Sequence, residues 1–199
     1  MIVGGLVLLS GLAAPADVKA QAPPNYLEFR LAHSGSGLYR YAEYTRTLSF
    51  GPVIDTLYLG VPGQNELYLG VGYPLQTTST LTVTPLVYGV FGKENGERGL
   101  ALGLLVLGTV DRWSVYSFLG YFIPVAGDVR SYMFLDSLDV GRKVGRWELG
   151  VSAGLFETTD QWSGLVGPLA VRNDRLGAWR ASVRGGSTFE VRLTRTLSF

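Results

Sequence analysis

The chain has 199 residues, enough for one domain, and a formal net charge of +1, so no overall field selects nucleic acid or an acidic partner. Glycine supplies 27 residues, about twice the usual share of roughly 7%. Cysteine is absent, which excludes a disulfide framework, thiolate metal sites and lipid attachment through a thiol.

Ile2 to Ala14 is apolar or small, interrupted only by Ser10. This run is too short to cross a bilayer as a helix, which needs about 20 residues, and Gly4, Gly5 and Gly11 weaken any packed helix. It reads as an export signal, although no Lys or Arg precedes it. Val18-Lys19-Ala20 is an acceptable cleavage pattern, giving a signal peptide over 1–20 and a mature domain over 21–199.

Beyond residue 22 the repeating signal has period two, the mark of strands. Leu27, Phe29 and Leu31 oppose Glu28 and Arg30. Leu67, Leu69, Val71 and Tyr73 oppose Glu66, Tyr68, Gly70 and Gly72. Trp147, Leu149, Val151, Ala153 and Leu155 oppose Arg146, Glu148, Gly150, Ser152 and Gly154. Phe189, Val191 and Leu193 oppose Glu190, Arg192 and Thr194. Turn signals fall near Ser34–Gly37, Gly51-Pro52, Pro62–Asn65, Pro74–Gln76, Gly92–Gly99, Asp111-Arg112, Val125–Asp128, Gly141–Gly145, Thr158–Ser163, Asn173–Arg175 and Gly185-Gly186. They delimit twelve segments of the length a tilted membrane strand needs, about 9–11 residues; ten strands is the alternative. Pro168 interrupts one segment. Near Pro85 the apolar phase shifts from Leu81/Val83 to Leu86/Tyr88/Val90, which a bulge would explain.

Alternation alone fits a soluble sandwich or a membrane barrel. The export signal, the glycine-rich second face and the last strand favour an all-β, antiparallel, up-and-down transmembrane barrel. The final strand carries Phe189, Val191, Leu193, Arg195, Leu197 and Phe199 at two-residue steps. In this it resembles bacterial outer-membrane β-barrel proteins, whose last strand ends in an aromatic residue after alternating apolar positions; Arg195 departs from that pattern. The resemblance implies an outer membrane of Gram-negative type, outer-membrane lipid as surroundings, and Phe189, Val191, Leu193, Leu197 and Phe199 as the signal read by the barrel assembly machinery. The hexapeptide Thr-Arg-Thr-Leu-Ser-Phe occurs at Thr45–Phe50 and again at Thr194–Phe199. In twelve strands both copies end descending strands at the same membrane face. There Arg46 and Arg195 can reach the interface. Tyr26, Tyr73, Trp113, Trp147, Trp179 and Phe199 are expected to form an interfacial girdle.

Little in the sequence points to chemistry. One histidine and no cysteine exclude the common zinc patterns, and no cofactor is implied. His33 lies beside Ser34 and Ser36, with Glu28 and Glu43 on neighbouring predicted strands, so a lipid-modifying hydrolase is conceivable; a solvated turn histidine is the simpler reading. Asp136 and Asp139 are expected to face opposite ways along one strand. The candidate lumen charges are Glu28, Arg30, Glu43, Glu66, Arg146, Glu148, Arg180, Arg184, Glu190 and Arg192. Gly, Ser and Thr on the inner face would leave room for water. The basic surplus after Arg142 would make one wall positive. Arg184-Gly185-Gly186 reads as a hairpin turn. The leading expectation is a narrow passive pore; a closed barrel that docks an unidentified protein partner is the alternative.

Overall fold

The computed structural model describes residues 25–35, 37–62, 64–92, 98–127, 130–157 and 161–199; the expected signal peptide lies outside them. Thirteen strands follow one another: β1 (Tyr26–Ser34), β2 (Gly37–Thr47), β3 (Val53–Val61), β4 (Gln64–Gly72), β5 (Leu75–Thr78), β6 (Leu81–Gly92), β7 (Arg98–Val110), β8 (Trp113–Ala126), β9 (Tyr132–Val144), β10 (Trp147–Glu157), β11 (Trp162–Asp174), β12 (Gly177–Gly186) and β13 (Phe189–Ser198). Each pairs antiparallel with its neighbours, β1 pairs with β13, and β4 pairs with β6, so the sheet closes. Closure removes the edges that a sheet in hydrocarbon cannot leave unpaired. Because β4 and β5 lie end to end along β6, the wall has twelve strands. No described helix is long and apolar enough to cross a membrane.

The burial is inside-out. Large apolar side chains such as Phe29, Leu31, Leu69, Val71, Leu149, Val151 and Leu193 stand exposed on the outer surface, while Glu28, Arg30, Glu43, Arg184, Glu190 and Arg192 are buried within. Each such apolar side chain left in water forgoes about 1.5–3 kcal/mol. A continuous outer band of them is stable only in hydrocarbon.

Both described chain ends meet at one end of the barrel, where the Phe199 amide donates to the Asn25 carbonyl at 3.2 Å. The turns at this terminal end are short. Asp111 (φ 53°) and Gly145 (φ 63°) take the left-handed conformation that matches a tight hairpin to strand twist. β6 and β10 end, and β7 and β11 begin, at the opposite end; the expected loops Gly92–Gly99 and Glu157–Gly164 lie partly outside the described residues.

Proline positions correct the expected breaks. Near Pro74 the wall strand is interrupted but does not reverse; it continues as β5, and the turn follows at Ser79-Thr80. No bulge forms at Pro85: Thr82, Thr84, Leu86, Tyr88 and Val90 all face inward without a phase change, and β6 keeps register with β7. The Pro85 carbonyl accepts from the Tyr73 amide at 3.2 Å, so the proline's missing N–H falls on the side where the neighbouring strand is broken. Pro168 sits in β11 where the β11–β12 register skips from Val166 to Leu169. Arg184 and the two following glycines belong to β12, and the turn lies at Ser187-Thr188.

Candidate functional site

The first and last strands bring their charged faces together, with Ala32 opposite Arg192 and Ser34 opposite Glu190. Arg192 Nε donates to Glu190 Oε1 at 3.0 Å, and Arg184 reaches the same oxygen at 2.6 Å. Arg30 donates to Glu28 at 2.9 Å and lies 4.2 Å from the centre of the Tyr41 ring.

What these arginines grip lies across the barrel. In β9 the pairing with β8 runs from Ser137 to Leu135 while β8 advances one residue, so Asp136 is the extra residue of a bulge. Arg30 donates to Asp136 Oδ2 at 2.7 Å, Arg192 donates to Asp136 Oδ1 at 3.1 Å, and Arg184 donates to the Asp136 backbone carbonyl at 2.9 Å. Four strands, β10 to β13, separate β9 from β1 along the shorter way round the ring, so the Arg30–Asp136 pair spans the lumen. The bulge also shifts the inward phase. Asp139 is buried and pairs with Arg180 at 3.2 Å, so both aspartates face inward, contrary to the expectation from simple alternation.

The wall from β2 to β4 carries carboxyl groups served by hydroxyls. Tyr26 and Tyr41 donate to Glu43 at 2.9 and 2.6 Å. Thr45 and Tyr88 donate to Asp55 at 3.0 and 2.6 Å. Tyr68 donates to Glu66. The wall from β6 to β9 is largely apolar: Leu86, Tyr88, Val90, Ala101, Leu105 and Phe122 form a buried cluster with Phe118 and Tyr132 against it. Inner-face glycines here make room for rings as well as water. A Cβ on Gly120 would stand 2.2 Å from the Phe134 ring, and one on Gly70 2.3 Å from Tyr88. A cavity of about 590 Å³ remains, touching both Val53 and Val61 at the two ends of β3.

Of the ten residues singled out as lumen charges, Glu28, Arg30, Glu43, Glu66, Arg184, Glu190 and Arg192 are buried inside. Arg180 lies over Tyr116, 4.8 Å from its centre, and Glu148 accepts from Ser114 toward the terminal end. Arg146 does not join them; it is exposed in the turn between β9 and β10. The positive wall also fails to form. Arg142, Arg146, Arg172 and Arg175 are exposed at the terminal rim because they occupy turns or outward positions, and Lys143, inward in phase with Asp139 and Gly141, is exposed at the mouth of that end. Inside, Glu28, Glu43, Asp55, Glu66, Asp136, Asp139 and Glu190 outnumber Arg30, Arg180, Arg184 and Arg192. Asp55, Asp136 and Asp139 were missed as lumen charges by sequence reasoning. For Asp136 a signal existed: the outward apolar positions step by three from Leu135 to Leu138.

Tyr26 leaves the expected girdle for the lumen, whereas Tyr73, Trp113, Trp147, Trp179 and Phe199 are exposed on the outside. Val53, Phe199 and the two hexapeptide strand ends share the terminal end; Phe199 stacks on Tyr44 with centroids 6.3 Å apart. His33 is exposed on the outer face, while Glu28, Glu43 and Ser34 point inward. The wall therefore separates His33 from Ser34, Glu28 and Glu43, and Ser36 lies outside the described residues. No described cluster of His, Asp and Glu has the arrangement to hold a metal ion.

A closed twelve-strand wall, an apolar exterior and a charged lumen define a transmembrane β-barrel. Among solved structures, the chain is similar to the KdgM porin, with 13% identity and a TM-score of 0.66, covering 87% of this chain and 99% of that one. It is similar also to the NanC porin, at 7% identity and a TM-score of 0.60 with the same coverage, and to the outer membrane protein Omp33 of Acinetobacter baumannii, at 10% identity and 0.52, covering 88% and 98%. No protein-family model and no curated protein matches the sequence.

Proposed function

We propose that the protein is a narrow passive pore for small solutes in the outer membrane of a Gram-negative-type bacterium. One observation carries this reading: a cavity of about 590 Å³ is lined by residues at both ends of β3, Val53 and Val61, inside a barrel whose outside is apolar. The inner wall suits water as well. Among the described residues, Thr84 Oγ1, Thr194 Oγ1 and Asp139 Oδ1 are buried without a protein hydrogen-bond partner, and such groups are ordinarily satisfied by water. The KdgM porin has also been solved in complex with disordered oligogalacturonate, which supports solute binding by a barrel of this fold. Here the inward carboxyl groups outnumber the guanidinium groups, and each lumen arginine is ion-paired. The lumen therefore favours neutral or cationic solutes over anions. The outward aromatic end of β13, with Phe189, Val191, Leu193, Leu197 and Phe199, is the segment we assign to recognition by the barrel assembly machinery, and residues 1–20 to export.

The test is planar-bilayer conductance of the purified protein with reversal potentials in a salt gradient. Steady small steps without anion preference are expected. A folded barrel that stays electrically silent overturns the pore, and a strong anion preference overturns the charge reading.

A further inference from the structure

Three consecutive hairpins repeat one contact on the outer face of the terminal end. Trp113 at the start of β8 pairs in register with Arg142 of β9, Trp147 at the start of β10 with Arg172 of β11, and Trp179 near the start of β12 with Arg195 of β13. In each pair the guanidinium lies over the indole, at 5.9, 5.6 and 5.1 Å from its centre. All three tryptophans are about half exposed. The pairs differ in their charge balance. Arg195 is neutralised by Asp174, to which it donates at 2.8 and 3.1 Å. Arg142 and Arg172 have no ion-pair partner among the described residues and are exposed. Two turn arginines, Arg112 and Arg146, directly precede Trp113 and Trp147 and are exposed too.

Indoles prefer the level of lipid headgroups, with the ring toward the chains and the polar edge toward water. An arginine fixed on such a ring at the end of a membrane strand presents its donors to phosphate. The carboxylates of this rim do not cancel the charge: Asp174 is taken by Arg195, and Asp111 stands in the turn beside Arg112.

We propose that the outer surface around Trp113–Arg142 and Trp147–Arg172 binds the headgroups of anionic phospholipids in the leaflet at the terminal end of the barrel. The site rests on the reading of the chain as a membrane barrel. Its ligand is a phosphodiester that the arginines clasp while the acyl chains lie along the apolar band below, at Val140, Leu149 and Val151. The third pair, carrying its own aspartate, does not take part.

The experiment uses quenching of tryptophan fluorescence by brominated lipids in vesicles of the refolded protein. Brominated phosphatidylglycerol is expected to displace brominated phosphatidylcholine at the tryptophans with a preference of about five-fold per arginine, the attraction of a basic side chain to an anionic lipid surface. The preference should fall in R142Q and R172Q singly and vanish in the double variant, while R195Q leaves it in place. Equal quenching by the two lipids in the wild-type protein, or a preference kept in the double variant, overturns the proposal. Competition by soluble glycerol phosphate at equal concentration would show a free-phosphate site and also overturn it. Flotation separates the two readings: protein that fails to float with either vesicle overturns the membrane barrel itself, whereas protein that floats with both and shows no lipid preference overturns only the headgroup site.

Discussion

Replacing Asp136 with Asn tests the charge clasp across the lumen. The carboxylate accepts from Arg30 at 2.7 Å and from Arg192 at 3.1 and 3.2 Å. Asn keeps the shape and one acceptor oxygen but turns an N–H₂ toward a guanidinium. Removing one partner of a buried ion pair costs about 3–5 kcal/mol. Here the loss is smaller, because Arg30 retains Glu28 and Arg192 retains Glu190, and because the Asp136 side chain is 21% exposed to the water-accessible lumen. A loss of about 2–3 kcal/mol follows, read as a lower urea midpoint for unfolding from vesicles. The same change removes the carboxylate that Arg30 and Arg192 share, leaving Arg192 its Ser137 and backbone contacts on β9, and adds one net positive charge to the lumen. Single-channel conductance should rise, and the reversal potential should shift toward anions. Conductance, selectivity and midpoint all unchanged from wild type would refute the cross-lumen clasp; D136E, which keeps the charge, should stay close to wild type in selectivity.

Gly120→Ala places a Cβ 2.2 Å from the Phe134 ring, and overpacking of this kind costs about 1–3 kcal/mol; the urea midpoint should fall, and an unchanged midpoint would show that the ring moves freely. Tyr88→Phe removes the hydroxyl that donates to Asp55 at 2.6 Å. A hydrogen bond to a charged group contributes about 1.5–3 kcal/mol, so equilibrium unfolding should show a loss in that range with the barrel's circular dichroism retained. Val151→Arg, in the middle of β10's outer face, should cost about 2–4 kcal/mol, whereas Val144→Arg, at the end of β9, should cost about 0–1; equal costs at the two positions would contradict the placement of the apolar band.

The strand count and closure were readable because period-two alternation and turn residues act locally. Leu149 and Val151 against Ser152 and Gly150 already state which way β10 faces. The lumen was less readable because its wall is not uniformly polar. On β6 the inner face passes from Thr82 and Thr84 to Leu86, Tyr88 and Val90, so a reader who equates the inside with polarity infers a phase change at Pro85 that does not occur. The reverse error arises on β9, where the phase does change. Its only local sign is the three-residue step from Leu135 to Leu138. Contacts such as Arg30–Asp136, separated by 106 residues in sequence, depend on how many strands lie between them, and no local pattern encodes that. The basic surplus after Arg142 misled for a similar reason: composition counts Arg146 and Arg175 equally with Arg184, but only the last is on an inward position.

The β9 bulge explains why the clasp and the outer band can coexist. Asp136 and Ser137 are adjacent, yet both serve the lumen: Arg192 Nη1 donates to Asp136 Oδ2 at 3.2 Å and to Ser137 Oγ at 2.9 Å. In a regular strand one of the two would face hydrocarbon, and a carboxylate there is costly at mid-depth. Shifting the whole strand by one residue would not help, since it would turn Phe134 outward and break its packing with Phe118, whose ring lies 6.1 Å away. The extra residue lets the aromatic half of β9, at Tyr132 and Phe134, and its acidic half, at Asp136 and Asp139, both face inward. An irregularity in the wall on one side thus sets the acceptor that the arginines of the closing strands β1 and β13 require on the other.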